Sequence, residues 1–407
     1  MGIHGGFTEE RTRALFSLFS GFIEGRDGKE LFDAYKPKLD GLTPLEVLVM
    51  GERLLGAGYS VESIKKQVEK VFNIIIPALK EYDWEEPDEH SAVYWLMEEN
   101  RALAAHMDGM KGKIRELSEL EASSVAYSTV YSALKRDFRK LAEFEPHYLK
   151  TENILFPFLE KHQYFEQPLK VIWSLDDDIR AVIKEINTAL DSADSLGMNE
   201  HIIIGRLFML MMRMTYKENL VILPAAAECL EGEEDSRMLR MFREIGFAFV
   251  EPPADAEQAD EKAFFGGGLI SMGGTGALTA EQLVSMMNSL PVDITFVDEN
   301  DEVRYFSAPK ERFFTRSPAI IGRKVQNCHP PDSIDTVNRI VESFRNGSRS
   351  EAKFWISLRG KLLLICYYAV RNPDGRYMGT VEVTQDVTEI KELKGERRLL
   401  EWDENRS

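Results

Sequence analysis

Apolar side chains recur at three- and four-residue spacing through RTRALFSLFSGFIEG, LTPLEVLVMGERLLGAG and SVESIKKQVEKVFNIIIPALK, between residues 8 and 80. That period predicts helices with one buried face. Gly25, Gly56 and Gly58 fall where such helices should stop, and Ser60 where the third should start. Four longer stretches of the same period follow between 88 and 245: SAVYWLMEENRALAAHMDGMKGKI, STVYSALKRDFRKLAEFEPHYLKTENILFPFLEKH, PLKVIWSLDDDIRAVIKEINTALDSAD and NEHIIIGRLFMLMMRMTYKENLVILPAAAECL. Long helices with short connections predict an up-and-down bundle. From about residue 285 the period changes. VDITFVDEND, EVRYFS, SEAKFWISLRG, KLLLICYYAVRN and RYMGTVEVTQDVT are β-branched and aromatic runs bounded by turn signals. A helical stretch, SIDTVNRIVESFRNG, separates the second run from the third, which predicts an α+β layout with helices over one antiparallel sheet.

The expected organisation is therefore multidomain. An all-α N-terminal region comprises a helical domain at 1–86 and a four-helix bundle at 87–245. A linker rich in glycine and proline covers 246–284, an α+β domain 285–395, and a charged tail 396–407.

Composition narrows the function. Sixty-eight acidic residues against 50 basic ones give a net charge of -18, which argues against nucleic acid and anionic membranes as partners. No stretch approaches the roughly 20 apolar residues of a membrane span, and MGIHGGFTEERTR lacks the layout of a signal peptide. Cys229, Cys328 and Cys366 lie far apart and form no CxxC pair, as expected of reduced thiols. The expected location is cytoplasmic.

The segment HYLKTENILFPFLEKH (147–162) sets polar groups into an apolar run. Burying His147 or Glu152 without a partner is costly. On an ideal helix these two lie roughly 140° apart, so a shared ion is permitted and not required; a hydrogen-bonded polar pair inside a helical scaffold is the other reading. An internal echo links TENILFPFLE (151–160) to KENLVILPAAAE (217–228). Facing helices of a bundle build metal sites from such carboxylates and imidazoles, and mixed nitrogen and oxygen donors suit non-haem iron or manganese. His106 and His201 are further candidates in the bundle region, His162 reads as a surface residue, and MLMMRM (209–214) reads as adaptable core.

HYLKTENILFPFLEKH, VIWSLDDDIR and YKENLVILP resemble the hemerythrin-like (HHE) cation-binding domains, in the branch that carries an N-terminal helical domain of unknown function. LTPLEVLVMGERLLGAGYSVESIKKQVEKVF is similar to that leading domain, and PDEHSAVYWLMEENRAL to its junction with the bundle. The resemblance covers about residues 10–235 and implies a non-haem iron site, di-iron in the family pattern, or another divalent metal. By position it implies His147 and Glu152 as ligands and His90 near the ligand of the first bundle helix. Two positions depart from the pattern. Asp176 stands where a histidine belongs, and alignment on Pro224 puts Asn219 at the usual glutamate with Glu218 one residue away. Met214 or Arg213 stands where some relatives have histidine. Fewer imidazoles and more carboxylates shift a site toward harder ions.

The segment LPVDITFVDENDEVRYFS, then IIGRKVQNCHPPDSIDTVNRIVESFRNG, then FWISLRGKLLLICYYAVRNPDGRYMGTVEVTQDVTEI resembles a PAS domain over about 285–392. That implies a sensory, dimerising module; the fold alone fixes no ligand. His329 is a candidate haem ligand, while a His-Pro pair before a helix is also a structural start signal. Phe354, Trp355, Tyr367 and Tyr368 are expected to pack on the sheet. Three functions stay open. One is a cytoplasmic sensor or regulator that responds to oxygen, nitric oxide or redox state through an iron-holding bundle. Its PAS domain would relay the state by forming a homodimer or through a protein effector. The others are a metal-free scaffold whose PAS domain senses a ligand such as haem, and a non-haem iron oxidoreductase.

Overall fold

The structure, a computed structural model, describes residues 7–161, 166–230, 232–252, 269–271 and 276–396. His162, most of the expected linker and nearly all of the charged tail lie outside them. The chain divides into two compact units.

The first unit opens with α1 (Glu9–Ile23), α2 (Gly28–Tyr35), α3 (Pro44–Gly56) and α4 (Val61–Lys80). A side chain caps each start: Thr8 accepts from Arg11 N, Asp27 from Lys29 N and Glu30 N, and Ser60 from Ser63 N. Thr43 and Glu46 form a reciprocal capping box at α3. After α3, Gly58 takes a φ of 89°, a left-handed turn open to glycine at little cost.

The bundle follows: α5 (Ala92–Glu119), α6 (Val125–Lys140), α7 (Glu145–Lys150), α8 (Phe156–Leu159), α9 (Glu166–Ser192), α10 (Met198–Lys217) and α11 (Leu223–Cys229), with α12 (Gly232–Ile245) closing the unit. α5 packs on α6, α6 on α9, α9 on α10, and α10 and α11 return to α5, so the ring is closed.

Two of its long rods contain a π-helical turn, Thr151–Leu155 between α7 and α8 and Glu218–Ile222 between α10 and α11. Each stands just ahead of a proline, Pro157 or Pro224, at the second position of the following helix. Proline lacks the N–H of the α ladder and its ring crowds the carbonyl four residues back. A wider turn relieves both and inserts one extra residue, which rotates every side chain upstream.

Apolar packing forms two clusters. One joins α1, α3 and α4 to the part of the bundle holding Met97, Ile154, Trp173 and Val221. The other fills the remainder around Leu103, Tyr148, Leu175 and Met214. The two clusters part at the same level on all four rods. On α5 the break falls between Met97 and Leu103, on α7 and α8 between Tyr148 and Ile154, on α9 between Trp173 and Leu175, and on α10 and α11 between Met214 and Val221.

The second unit holds a small hairpin, β1 (Leu269–Ser271) with β2 (Ala277–Thr279), then α13 (Ala280–Ser289), capped by a Thr279–Gln282 box. The hairpin and the first half of α13 lie in the stretch read as linker. Its Thr-x-x-Gln box is the sequence signal for the helix start. The main sheet contains β3 (Asp293–Asp298), β4 (Val303–Phe306), β5 (Glu351–Leu358), β6 (Lys361–Arg371) and β7 (Tyr377–Asp386), with α14 (Pro331–Arg345) before β5 and α15 (Thr388–Glu392) after β7. Its order is β4-β3-β7-β6-β5, antiparallel throughout. At the β3–β4 turn Asp301 takes a φ of 66°, and the Asp298 carboxylate accepts from Asn300 N and Glu302 N. Register sets Thr295 beside Glu382 and Glu382 beside Tyr367. Trp355 on the edge strand β5 departs from expectation, at 71% exposed, and Phe354 and Tyr368 are exposed as well.

Candidate functional site

The level where the two apolar clusters part is polar on every rod. Glu99 and Asn100 come from α5, His147 and Lys150 from α7, Glu152 from the first π turn, Asp176 from α9 and Glu218 from the second π turn. All seven side chains are buried. Seven buried polar residues in one layer must satisfy one another, or they cost more than they stabilise.

Most do. His147 is fully enclosed; its Nδ1–H donates to Glu99 Oε2 at 2.8 Å, and Nε2 lies 3.2 Å from both oxygens of Glu218. The ammonium of Lys150 donates to Glu99 Oε1 and, at 2.9 Å, to the carbonyl of Gly246. Ala248 N donates to the same Glu99 oxygen at 2.7 Å. Asn100 donates to Glu218 Oε2 at 2.8 Å and to Asn219 Oδ1 at 3.0 Å. Arg180 on α9 grips Glu152 in a fork, 2.7 Å to Oε1 and 3.1 Å to Oε2, and also holds Glu145 and Asp177.

Asp176 is the exception. It is completely buried, and neither carboxylate oxygen has a hydrogen-bond partner among the described residues. Four carboxylates thus face two fixed cations, Lys150 on Glu99 and Arg180 on Glu152. As the side chains stand, no three His, Cys, Asp or Glu groups are arranged to hold a metal among the described residues.

The electrostatics follow. Burial, with Glu152 and Glu218 nearby, pushes the Asp176 carboxyl well above its usual range. Burial also lifts Glu152, to about 7, against the opposing pull of Arg180. Burial would lower His147, but Glu218 and Glu99 outweigh it and raise the imidazole to about 9. In Glu99 burial acts upward, yet the hydrogen bond from His147 and the charge of Lys150 hold its carboxyl below the ordinary value.

The shifts of His147, Asp176 and Glu152 have one sign for stability. His147 binds its proton more tightly folded than unfolded, so its contribution is full below about 6.5 and lost as pH rises through about 9. Protonated Asp176 and Glu152 likewise favour the fold, and that gain also fades as pH rises. His147 alone is therefore expected to cost the cation-free protein roughly 3 kcal/mol of unfolding free energy between pH 6 and pH 9, and Asp176 and Glu152 add to that loss. Urea titrations in chelator at several pH values measure this; a flat profile would contradict the protonated His147.

Of the residues singled out from sequence, His147, Glu152, Asp176 and Glu218 share this layer. His90 does not reach it. It lies exposed in the turn before α5, and Glu99, nine residues further on, faces the cluster from that helix. His106 donates from Nε2 to Asp137 O, and His201, exposed, donates from Nδ1 to Gly197 O. The second π turn explains the one-residue offset at Glu218: its extra residue brings Glu218 to His147, while Asn219 bonds to Asn100.

Glu99, Asn100, Lys150 and Arg180 escaped the sequence reading. One signal was available, because the bundle holds three Glu-Asn pairs, 99–100, 152–153 and 218–219, and all three glutamates lie in the layer. The segment after α12 was also missed as part of the site. Gly246 and Ala248 bond to Lys150 and Glu99, and Phe247 packs against Trp95 at 5.7 Å and Lys150 at 4.3 Å.

In the second unit, His329 is half-buried and its Nδ1–H donates to Val325 O at 2.8 Å, closing the turn Val325–Cys328. Beside the paired Thr295 and Glu382, Arg316 donates to both, at 2.7 and 2.8 Å.

Residues 74–226 match the family model of the Hemerythrin HHE cation binding domain, and residues 283–388 that of a PAS domain. Similar solved structures include the C-terminal domain of a Streptococcus mutans protein, at 34% identity over 31% of this chain and 98% of that one, with a TM-score of 0.30. They also include the PAS domain of a Colwellia psychrerythraea protein (12% identity, 27% and 97% covered, TM-score 0.22). A third is a sensory box sensor histidine kinase from Vibrio cholerae (13% identity, 26% and 89% covered, TM-score 0.21). No curated protein matches the chain.

Proposed function

Since the chain carries a Hemerythrin HHE cation binding domain and a PAS domain, we propose that it is a sensory or regulatory protein whose bundle binds one divalent cation, iron by preference. In this reading the PAS domain passes the state of the bundle on, by self-association or to a protein partner. The observation that carries the proposal is the Asp176 carboxylate, buried and unpartnered beside Glu152 and Glu218. A buried carboxylate needs a counter-charge, and polar groups left bare in a native core call for an explanation.

Asp176, Glu218, the Nε2 of His147 and Glu152 would hold the ion. Three carboxylates with one imidazole suit iron(II) or manganese(II) better than soft metals. When bound, the metal would supply a Lewis-acidic centre at which a small gas or redox ligand could attach. The chain's own residues set its surroundings. Glu99 fixes the Nδ1–H tautomer of His147 and so directs Nε2 at Glu218. Lys150 and Arg180 neutralise two of the four carboxylates, which leaves charge for a single divalent ion.

No separate observation favours the oxidoreductase reading, and haem at His329 gains none. The location in the cytoplasm remains part of the proposal; no helix among the described residues is long and apolar enough to cross a membrane.

The test is metal analysis after anaerobic loading with iron(II). About one iron per chain is expected, with a rise in unfolding free energy of about 2.7 kcal/mol at free metal a hundredfold above Kd. Glu218→Gln and His147→Ala should lose most of the metal. Two irons per chain would refute the single-ion reading. No binding of iron, manganese or zinc by the intact protein would refute the site.

A further inference from the structure

The outer face of α10 is apolar. Met198, Ile202, Met209, Met212 and Tyr216 range from 79% to 36% exposed, and Gly205 stands exposed among them. The run MLMMRM (209–214) therefore splits between two faces: Met211 and Met214 fill the bundle core, while Met209 and Met212 point outward. At about 100° per residue, the six outer positions fall within a sector of about 80° opposite Leu207, Met211 and Met214. Their successive spacings of four, three, four, three and four residues are those by which one helix seams to another. A helix needs one apolar stripe to join its own bundle; α10 carries a second on its far side.

The stripe is symmetric about residue 207: positions 198 and 216, 202 and 212, and 205 and 209 lie equally far from it. Run antiparallel against itself, it sets Met198 against Tyr216, Ile202 against Met212 and Gly205 against Met209 of the other copy. A two-fold interface requires such self-complementarity, because one patch serves both sides. Gly205 supports the same pairing. Glycine weakens a helix interior relative to alanine, and nothing in its own chain lies within 4 Å of where its Cβ would stand; opposite Met209 of a second copy, that space has an occupant. All six positions are uncharged, and the flanking cations Arg206 and Arg213 are held by Glu185 and Glu69. A second copy therefore meets no bare charge there, although the chain as a whole carries -18. The antiparallel sense also places each helix start beside the other's end, where the dipoles attract.

We infer that α10 docks a second copy of this chain, antiparallel about a two-fold axis at residue 207, and so forms a reversible dimer of bundles. The 20 residues of α10 make a seam about 30 Å long. Beside it, α9 adds a shallow groove lined by the small side chains Ala181, Thr188, Ala189 and Ser192. One helix and its groove stand at the low end of the range for specific interfaces, so the dimer dissociates on dilution. The contact joins bundle to bundle and depends on neither the metal nor the PAS domain.

Cysteine cross-linking of the full-length protein tests the seam, on a Cys328→Ser background that removes the half-buried native thiol. A chain carrying Ile202→Cys and Met212→Cys together is expected to form a covalent dimer on mild oxidation. Ile202→Cys or Met212→Cys alone should not, since each position lies about 15 Å along the axis from its own counterpart in the second copy. The same spacing prevents pairing within one chain. Met209→Glu, added to the double variant, should slow cross-linking more than tenfold, as loss of a central contact does. Gly205→Leu separates association from folding: leucine favours the helix, so the thermal midpoint should hold or rise while cross-linking slows by a similar factor. A double variant that gives no cross-link would overturn the inference, and so would single variants that cross-link as fast as the double. Cross-linking unchanged by both Met209→Glu and Gly205→Leu would overturn it as well.

Discussion

Asp176→Asn is expected to stabilise the cation-free protein by about 1–3 kcal/mol, because the amide spares the fold the proton uptake or buried charge of the carboxylate although its own polar atoms stay unpaired, and to abolish its thermal response to iron(II). The two effects have opposite value for the molecule, which makes the variant diagnostic. Asp176 is wholly buried, unpartnered, and surrounded by the fields of Glu152 and Glu218. Its ionised form is disfavoured in the folded state, so folding at neutral pH must take up a proton there or bear the charge. An amide of the same shape needs neither. A natural sequence keeps such a carboxylate when something is gained elsewhere, and the gain proposed here is a cation. Denaturant titrations with and without iron(II) decide the matter. If Asp176→Asn were less stable than wild type in chelator, the carboxylate would have a partner within the fold. If the variant kept its iron response, Asp176 would not be a ligand.

The sequence reading reached the architecture further than the site. Helical period, five strand runs and turn residues identified the elements because each is a local property. The polar layer is not local. It exists because the apolar pattern of each rod breaks at one common level, between Met97 and Leu103, Tyr148 and Ile154, Trp173 and Leu175, Met214 and Val221. The level is common only once four helices have a relative height, which no single helix encodes. Glu218 was reachable because Pro224 gave a register, but the offset of one residue needed the π turn. Glu99 was missed for a different reason. The imidazole of that region, His90, lies ahead of α5, and the residue that faces His147 is a carboxylate two turns into the helix. Lys150 was missed because a lysine inside a helical run is ordinarily a solvent-facing residue; here it is fully buried.

Lys150→Met should be the most damaging single substitution in the layer, costing about 3–5 kcal/mol, the range for breaking a buried ion pair on one side. Methionine keeps the volume and apolar contact with Phe242 and Phe247 but removes the charge. Glu99 would then retain His147 and Ala248 N as partners, with burial no longer offset by the ammonium. The carbonyl of Gly246 would also lose its donor. The damage should therefore reach the segment after α12, which is held to the layer by Lys150 and Glu99 through Gly246 and Ala248. Hydrogen exchange reports this directly: the Ala248 amide is expected to be strongly protected in wild type and to lose protection in Lys150→Met before the rest of α5 does. Adding Glu99→Gln to Lys150→Met should recover part of the lost stability, since the bare carboxylate is what makes the single variant costly. Strictly additive effects in that cycle would show that Lys150 acts by packing alone. The grip of this segment on Glu99 ties it to the charge state of the polar layer: His147 contacts Glu99 on one side and Glu218 on the other, and a change at Glu218 meets Ala248 through three hydrogen bonds.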